Sequence, residues 1–293
     1  MTPSGRDTWG GRLARAQARL AAAGIEEAAV KLRWLAAHLL GGGLLEVALH
    51  AGETPRPGLA EAFERGVERL ETGEPVQYVI GETDFMGLRI RCDRRALIPR
   101  PETEQLAGWA EDYLRGRPGR PVVVDACTGT GCLACVLALR LTEVRVLATD
   151  CSADALDLAR ENARTLGADV EFIQTDLLGG LPEACADLVI SNPPYIDTGA
   201  CEHLPPTVRD FEPRLALDGG RGGLEIISRL VSDAAHVMVN GGRLMLEIGE
   251  DQAAAVQELV CRTTLYNPPN LKCDYAGRDR VVWADRRPRR RPR

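Results

Sequence analysis

A four-residue stretch, Asn192-Pro193-Pro194-Tyr195, follows an apolar run and has the residue types to hold a flat group that carries an NH2. Each proline lacks a backbone N–H but keeps its carbonyl, so the turn presents mainly hydrogen-bond acceptors. The Asn192 side-chain oxygen and the Pro193 carbonyl could together accept both N–H groups of an amide or amine. Tyr195 would pack on the flat group and fix its plane. A plain Pro-Pro turn is the alternative interpretation.

A glycine-rich turn in residues 122–134, VVVDACTGTGCLA, stands between a strand pattern and a helix pattern. Gly129 and Gly131 allow the backbone to turn tightly and to approach a ligand, and the free N–H groups of a helix N-terminus attract a carboxylate or a phosphate. Asp150 ends the next strand, where a carboxylate can accept hydrogen bonds from two ribose hydroxyls. Asp150 could instead cap the following helix, although Ser152 is better placed to do so.

The two glycines alone do not identify the ligand that this turn would bind. Gly129-x-Gly131-x-x-Ala134 also fits the dinucleotide fingerprint, so a nicotinamide enzyme is one alternative. Asp125, immediately before the turn, and Asp176, at the end of a third strand, favour S-adenosylmethionine, because a carboxylate at Asp176 could accept from an adenine amino group. Asp176 could equally be a turn residue. No histidine or Ser/Tyr/Lys arrangement for hydride chemistry stands out nearby.

Methyl transfer to nitrogen is the chemistry that the turn and the Asn-Pro-Pro-Tyr stretch would serve together. An amide nitrogen is a poor nucleophile because its lone pair is delocalised, and hydrogen bonds to both N–H groups favour a pyramidal nitrogen. The nitrogen must come within about 3–3.5 Å of the sulfonium methyl. Positive charge passes from sulfur to nitrogen and the proton can leave late, so no strong general base is needed. We predict Asn192, Pro193 and Tyr195 as the catalytic residues.

The composition places limits on partners and location. The chain has 293 residues, 45% hydrophobic and 27% charged, with a net charge of −6. No apolar run reaches the roughly 18 residues that a membrane span needs. The N-terminus lacks the apolar core of a secretory signal, so we expect a cytoplasmic protein with no membrane partner. The acidic balance argues against a protein whose main partner is nucleic acid. We expect a monomer.

The cysteines give no sign of a metal site. Their number is nine, which is odd and without framework spacing, and this indicates reduced thiols rather than disulfides. Cys132 and Cys135 form one CxxC pair, but the four histidines lie far away in the sequence and no second pair completes a zinc site. We therefore predict a buried helix face at this pair and no metal.

The elements that must position these residues change character along the chain. Leucine and alanine recur at helical spacing in residues 9–72, and short β-type runs follow. From residue 121 strands alternate with helices, which predicts a parallel, doubly wound sheet that closes with an antiparallel pair. The predicted divisions are a helical domain (1–75), a β-hairpin linker (76–98), the catalytic domain (99–285) and a disordered arginine-rich tail (286–293). Loose contact of the tail with RNA or a ribosome is an alternative interpretation.

Together these motifs resemble the amino-methyltransferases of the Rossmann-like class I group, which act on adenine, cytosine or glutamine nitrogens. The segment 95–104, RALIPRPETE, narrows the choice, since it resembles the segment that precedes the catalytic domain in the HemK-type release factor glutamine methyltransferases. Asn-Pro-Pro-Tyr-Ile-Asp, the run 211–213 and the pairs 274–275 and 280–281 follow in the same order. The resemblance covers about residues 10–285.

The resemblance implies a fold and a function. The fold is a class I methyltransferase domain with a seven-stranded, mostly parallel sheet, preceded by a small helical domain and a β-hairpin linker. The family uses S-adenosyl-L-methionine to methylate N5 of the glutamine in the Gly-Gly-Gln tip of class I peptide chain release factors. Residues 1–75 would then be a docking module for the release factor, and no specific nucleic acid is expected as a partner.

The resemblance also assigns residues to the two ligands. Substrate would be held by Asn192 to Tyr195, which includes Pro194, and by Arg100 and Glu102. The residues assigned to the cofactor are Asp125, Cys127, Thr128, Gly129, Thr130, Gly131, Asp150, Asp176, Leu177 and Asn192.

Two positions depart from the family pattern. Cys127 stands where glycine is frequent, and related enzymes that modify a ribosomal-protein glutamine often have cysteine there, although they typically lack the Arg-Pro-Glu-Thr-Glu run. Leu177 replaces an aromatic residue, so aliphatic packing on adenine is expected. A ribosomal-protein glutamine methyltransferase, an adenine-N6 nucleic-acid methyltransferase and a non-catalytic translation-factor binding protein are the alternatives. A nucleic-acid enzyme would need a recognition domain that the compact chain does not offer.

Overall fold

The computed structural model describes residues 7–288, which divide into two compact units. The smaller unit contains residues 7–82 and 205–211, and the larger unit contains residues 83–204 and 212–288. Along the chain the elements are α1 (Trp9–Ala22), α2 (Ala28–Leu40), α3 (Leu44–Leu49), α4 (Pro57–Glu71), α5 (Val76–Ile80), β1 (Glu82–Phe85), β2 (Leu88–Arg91), α6 (Pro101–Arg115), β3 (Val122–Ala126), α7 (Cys132–Arg140), β4 (Arg145–Asp150), α8 (Ala153–Leu166), β5 (Val170–Gln174), β6 (Ala186–Ser191), α9 (Pro206–Arg209), α10 (Glu225–Val237), β7 (Met238–Glu247), α11 (Ala253–Arg262), β8 (Asn270–Cys273) and β9 (Asp279–Asp285). Within residues 7–288, none of the helices has the length and apolarity needed to cross a bilayer.

The smaller unit is helical, as predicted. Apolar residues at three- and four-residue spacing turn one face of each long helix towards the others. Leu20, Phe63 and Leu70 are fully buried in the resulting core. Trp9 meets Phe63 edge to face, with ring centroids 5.6 Å apart. The unit extends past residue 75 and takes in residues 205–211, a segment that the sequence placed in the catalytic domain.

The start of the predicted linker is a helix rather than a strand. α5 begins after Pro75, whose carbonyl accepts hydrogen bonds from the N–H groups of Tyr78 and Val79. Arg69 then donates to the carbonyls of Tyr78 and Val79, which a helix of this length leaves without an internal partner. So short a helix buries only Val76 and Tyr78, and that alternation is also what a strand would show.

The predicted hairpin is confirmed in β1 and β2. Met86 and Gly87 connect the two strands, and both have positive φ angles, as a type I′ turn requires. Asn162 of α8 fixes β2 to the glycine-rich turn. Its Oδ1 accepts from the Arg91 N–H at 2.8 Å, and its Nδ2 donates to the carbonyls of Arg91 and Thr130 at 3.0 and 2.9 Å. Asn162 is 1% exposed, so all of these bonds are shielded from water.

The larger unit is built on a seven-stranded sheet with the order β5-β4-β3-β6-β7-β9-β8. The first five strands in this order are parallel, and β9 runs antiparallel to both β7 and β8. The predicted parallel sheet and its closing antiparallel pair are therefore confirmed. The strand order reverses between β3 and β6, where the carboxyl ends of parallel strands open a crevice.

Helices cover both faces of this sheet. One apolar cluster joins the sheet to α10 and α11 through Leu230 and Val256, and a second joins it to α6 and α7 through Leu106 and Leu137. β3 and β6 lie between these clusters and are nearly continuous apolar runs, as strands buried on both faces must be. The crevice at their ends is thus supported from both sides.

The first residues of the predicted tail, Arg286 and Arg287, form contacts with the folded larger unit. Arg286 is 4% exposed, forms a β-bridge with Tyr266 and donates through its guanidinium to the Met238 carbonyl. The Arg287 N–H donates to the Leu265 carbonyl. Arg286 therefore belongs to the sheet edge and not to a tail, because its charged head satisfies a strand-end carbonyl. Residues 289–293 of the predicted tail lie outside the described residues.

Candidate active site

A cavity of the larger unit opens where β3, β4, β5 and β6 end. Ten of the predicted site residues line it: Arg100, Cys127, Thr128, Gly129, Thr130, Asp150, Asp176, Leu177, Asn192 and Pro194. The other five, which do not line it, are Glu102, Asp125, Gly131, Pro193 and Tyr195. The predicted cofactor turn therefore shares one cavity with Asn192 and Pro194 of the predicted clamp, because the carboxyl ends of parallel strands meet at one edge. Pro193 and Tyr195 of the clamp lie next to these residues in the chain but do not line the cavity.

The glycine-rich turn is left-handed at its two glycines, as a tight turn allows, and also at Cys127, where the sequence predicted no special conformation. Cys127, Gly129 and Gly131 all have positive φ angles. The Thr128 N–H donates to the Thr149 carbonyl at 3.0 Å, which anchors the turn to β4. A Cβ at Gly131 would lie 3.0 Å from the Ala159 side chain of α8, so glycine permits the close approach of α7 and α8. The cysteine at 127 adopts a left-handed conformation that L-residues seldom take.

Asp150 is held by backbone donors. Its Oδ2 accepts from the Gly129 N–H at 3.0 Å and its Oδ1 from the Ser152 N–H at 2.9 Å. Burial raises the pKa of Asp150, and these N–H groups oppose the rise. Ser152 caps α8 through its hydroxyl, which accepts from the Ala155 N–H, so the preference for Ser152 as the helix cap is confirmed.

Asp125 lies beneath the turn, away from the cavity surface. It is fully buried, and its Oδ2 accepts from the Thr128 hydroxyl at 2.6 Å. Burial raises the pKa of Asp125 to about 7, and the hydrogen bond from Thr128 opposes this. The direct action of Asp125 is therefore on the conformation of the turn.

Asp176 and Leu177 follow β5 at the far wall of the cavity. Leu177 is buried, and its carbonyl accepts from the Thr149 hydroxyl at 2.7 Å. Asp176 forms an ion pair with Arg229 of α10 through Oδ2, at 2.5 Å. Both charged side chains are at least half exposed, so this pair contributes little stability. Arg229 also lines the cavity, and sequence reasoning missed it because α10 carries no motif.

Asn192 is oriented by a chain of hydrogen bonds. Its Nδ2 donates to the Thr103 hydroxyl at 3.1 Å, and Thr103 donates to Oε2 of Glu247 at 2.7 Å. Among residues 7–288, neither the Asn192 Oδ1 nor the Pro193 carbonyl accepts a hydrogen bond. Sequence reasoning missed Thr103 and Glu247, although an acid that ends an apolar strand beside Asn-Pro-Pro-Tyr was a visible signal.

The backbone of Tyr195 is held in place by Gln252. The Gln252 Nε2 donates to the Tyr195 carbonyl at 2.8 Å and to the Gly222 carbonyl at 3.3 Å. Gly223 packs directly on the same carbonyl, and a Cβ at Gly223 would lie 2.0 Å from the Tyr195 oxygen. Burial raises the pKa of the Tyr195 phenol to about 12, so the phenol stays neutral at physiological pH.

Of the two predicted substrate residues outside the clamp, Arg100 has another partner. Arg100 donates to the buried carboxylate of Glu212 at 2.5 Å, and Glu212 also accepts from the Ile98 N–H at 3.3 Å. This ion pair ties the RALIPRPETE segment to the long loop after β6. Glu102 is half-buried in the first turn of α6. Arg100 therefore reaches the cavity with part of its charge already neutralised.

The cysteine pair lies on a buried face of α7, as predicted. Cys132 and Cys135 are both buried, and burial raises the pKa of each thiol. Among residues 7–288, no group of three or more His, Cys, Asp or Glu side chains could hold a metal ion.

Known proteins resemble the chain in both sequence and structure. Family models for the PrmC N-terminal domain and the Methyltransferase small domain match residues 12–81 and 115–204. The release factor glutamine methyltransferase of Moorella thermoacetica is 41% identical over 94% of this chain and 97% of that protein. Its counterpart in Deinococcus radiodurans is 39% identical with the same coverage. A solved methyltransferase structure from Pyrococcus furiosus, 17% identical, has a TM-score of 0.52 and covers 69% of this chain and 90% of that chain, a likeness of fold.

Proposed function

This chain belongs to the family of release factor glutamine methyltransferases, and from that premise we propose that it methylates N5 of the glutamine in the Gly-Gly-Gln motif of class I peptide chain release factors. S-adenosyl-L-methionine is the methyl donor. One observation carries the proposal: the Asn192 Oδ1 and the Pro193 carbonyl are adjacent acceptors that no described residue satisfies.

Two such acceptors favour an NH2 group over a hydroxyl or a carboxylate. A carboxamide nitrogen has two N–H donors, whereas a hydroxyl has one and a carboxylate has none. Pro193 and Pro194 have no N–H, so neither of them offers a donor to a substrate oxygen. Pro193 is buried and Asn192 is half-buried, so water competes poorly for the same acceptors.

The residues around the glycine-rich turn fit S-adenosyl-L-methionine. Each oxygen of Asp150 takes one backbone N–H and keeps further lone pairs, which suits the two ribose hydroxyls. Leu177 offers an apolar wall for adenine, and the Oδ1 of Asp176, outside its ion pair with Arg229, can accept from the adenine amino group. When bound, the cofactor supplies an electrophilic methyl group on a positively charged sulfur.

The chain itself contributes positioning rather than acid or base catalysis. Asn192 and Pro193 hold the two N–H groups of the substrate amide and favour a pyramidal nitrogen. Tyr195 packs on the amide plane, and Gln252 keeps the backbone of Tyr195 in place. None of the described residues that line the cavity is a histidine. The late loss of the proton makes such a base unnecessary.

The smaller unit is proposed to dock the release factor. It is the part of the chain that matches the PrmC N-terminal domain, over residues 12–81. A docking role leaves the chemistry to the larger unit, which contains the whole cavity. The monomeric state, the absence of a specific nucleic-acid partner and the cytoplasmic location stay predictions.

Labelling of purified substrates tests the proposal. The enzyme is incubated with radiolabelled S-adenosyl-L-methionine and a class I release factor, and in parallel with the release factor whose Gly-Gly-Gln glutamine is changed to alanine. We expect label in the first and none in the second. Equal labelling of both proteins contradicts the proposal. Stronger labelling of ribosomal proteins, DNA duplexes or ribosomal RNA would support the alternative enzymes instead.

A further inference from the structure

We propose that Thr103 and Glu247 are positioning residues that determine which end of the Asn192 amide faces the substrate. The inference rests on the proposed function, because it concerns the acceptor that holds the glutamine NH2. Neither residue touches the substrate in this scheme. Both act through the direction of the hydrogen bonds that lead to Asn192.

The sheet brings the three side chains together. Ser191 of β6 pairs with Leu246 of β7, so the next residues, Asn192 and Glu247, lie level with each other at the carboxyl end of the sheet. Thr103 enters from the first turn of α6 and lies between them, 3.1 Å from the Asn192 Nδ2 and 2.7 Å from the Glu247 Oε2. Thr103 and Glu247 are 3% and 1% exposed, so water has little access to this contact.

The chemistry of the groups fixes the direction of the chain. A carboxylate has no hydrogen, so the single hydrogen of the Thr103 hydroxyl must go to Glu247. Thr103 then has only lone pairs left for Asn192 and can accept from the NH2 end alone. The Asn192 Oδ1 is left without a partner in the described chain, ready to accept from a substrate NH2. An ionised Glu247 thus specifies the productive orientation of the Asn192 amide, to which it is linked by two successive hydrogen bonds through Thr103.

Protonation of Glu247 reverses the chain. The carboxylic acid can donate to Thr103, which frees the Thr103 hydrogen for the Asn192 Oδ1. The amide then turns its NH2 group towards the cavity, where it opposes the NH2 of the substrate. Two donors that face each other cannot form a hydrogen bond, so we expect the enzyme with protonated Glu247 to bind its cofactor but to transfer methyl groups slowly.

The surroundings place this protonation within the physiological range. Burial raises the pKa of Glu247 to about 7, and the Thr103 hydrogen bond opposes the rise. Arg280 of β9 and Arg100 favour the carboxylate, whereas Glu102 disfavours it. The Tyr195 phenol is neutral at this pH, since its own pKa lies near 12. Because the pKa is raised, the productive carboxylate is present above about pH 7 and is lost as the pH falls through that value.

Variants at Thr103 test the proposal with the full-length enzyme. Thr103→Val keeps the shape of the side chain but breaks the chain, and we expect kcat for release factor methylation to fall about 10- to 100-fold. The Kd for S-adenosyl-L-methionine, measured by calorimetry, should change less than about twofold. Thr103→Ser keeps the hydroxyl and should restore most of kcat. Thr165→Val, an exposed threonine of α8, is the matched control and should behave like the wild type.

The pH profile separates a positioning role from a structural one. Wild-type kcat should fall about tenfold for each pH unit below the pKa of Glu247, and Thr103→Val and Glu247→Gln should lack this limb. Equal damage in the valine and serine variants, or an unchanged acidic limb in Thr103→Val, overturns the proposal.

A measurement without substrate keeps the inference independent of the proposed function. The Asn192 NH2 signal in ¹⁵N-labelled enzyme, identified by its loss in Asn192→Asp, should shift with pH in the wild type and in Thr165→Val. It should not shift in Glu247→Gln or Thr103→Val. A wild-type signal that does not titrate between pH 5 and pH 9 rules out the relay, even if release factor methylation is confirmed. A titrating signal supports it even if the substrate proves to be another protein.

Discussion

Asn192 and Asp150 present acceptors to ligands in different ways. The Asn192 NH2 group donates to Thr103, which leaves the Asn192 oxygen for the proposed substrate amide. Each oxygen of Asp150 accepts from a backbone N–H and keeps lone pairs for the proposed contact with ribose. The sequence predicted both residues from their positions at strand ends. The acid Glu247 at the end of an apolar strand was visible in the sequence, but its pairing with Thr103 and Asn192 was not, because that pairing depends on the register of β6 with β7.

Asn192→Ala tests whether the Asn192 side-chain oxygen acts as a hydrogen-bond acceptor for the substrate. The substitution removes the oxygen that we propose holds one N–H of the substrate, so we expect kcat for release factor methylation to fall at least about 100-fold. The Kd for S-adenosyl-L-methionine should change by less than about threefold. Calorimetry and single-turnover labelling measure the two quantities. A kcat within a few-fold of the wild type would show that the amide is held elsewhere.

Asp150→Ala should act on the cofactor instead. Loss of hydrogen bonds between a carboxylate and two hydroxyls raises the Kd for S-adenosyl-L-methionine by about 10- to 100-fold, and the freed Gly129 N–H loosens the turn. Asp154→Ala is the matched control, since Asp154 is an exposed acid of α8 only four residues further on. An equal loss of affinity in both variants would mean that net charge, not the contact, is responsible.

The raised pKa of Asp125 makes a prediction about stability. A carboxyl group with a pKa of about 7 when folded and about 3.9 when unfolded binds extra protons in the folded state. The free energy of unfolding therefore falls as the pH rises from about 4 to about 7. Asp125→Asn is neutral throughout, so above pH 7 it should be more stable than the wild type by on the order of 4 kcal/mol, and the two stabilities should become equal near pH 4. Urea denaturation without cofactor measures this, and a less stable variant at pH 8 would contradict it.

A short helix and a non-local contact account for what the sequence missed among the helices and strands. The parallel strands and the closing pair follow from apolar runs and are confirmed. α5 was read as a strand because five residues are too few to distinguish a period of 3.6 from a period of 2. The assignment of residues 205–211 to the smaller unit is a non-local packing outcome that no local pattern encodes.

Gly223 and Gly222 form a matched pair for a test of the loop after β6. Both have positive φ angles, but a Cβ would meet the Tyr195 carbonyl at Gly223 and nothing within 4 Å at Gly222. Gly222→Ala should therefore cost only the left-handed strain of about 1–2 kcal/mol in stability. Gly223→Ala must also displace Tyr195, so we expect kcat to fall at least about tenfold further. Equal kcat values in the two variants would remove Tyr195 from the clamp.

Apolar exposure is uneven across the whole molecule. Eight large hydrophobic side chains are exposed among the described residues, and five of them lie between residues 30 and 49 in the smaller unit. Clustered exposed apolar residues are typical of protein-binding surfaces. This distribution supports the proposal that the smaller unit docks the release factor, and it was not predicted, since helix periodicity alone does not show which apolar residues remain exposed.

The double variant Leu45→Asp/Leu49→Asp tests whether these exposed side chains bind the release factor. Both side chains are more than 60% exposed, so the change should leave the fold intact. We expect the KM for the release factor to rise about 10-fold or more, with kcat and cofactor affinity unchanged. Leu265→Asp, an exposed leucine of the larger unit, serves as the control. A KM that rises equally in the control would point to general charge repulsion.

The smaller unit consists of two separate segments of the chain, and this has a consequence for how the protein folds during synthesis. Residues 7–82 are translated before the larger unit, but residues 205–211, which complete the smaller unit, are made only after residues 83–204. At about 5–20 residues per second this delay lasts roughly ten seconds. The nascent helices must wait for the rest of the polypeptide before their packing is finished, so the last part of this N-terminal unit to fold comes from the second half of the message.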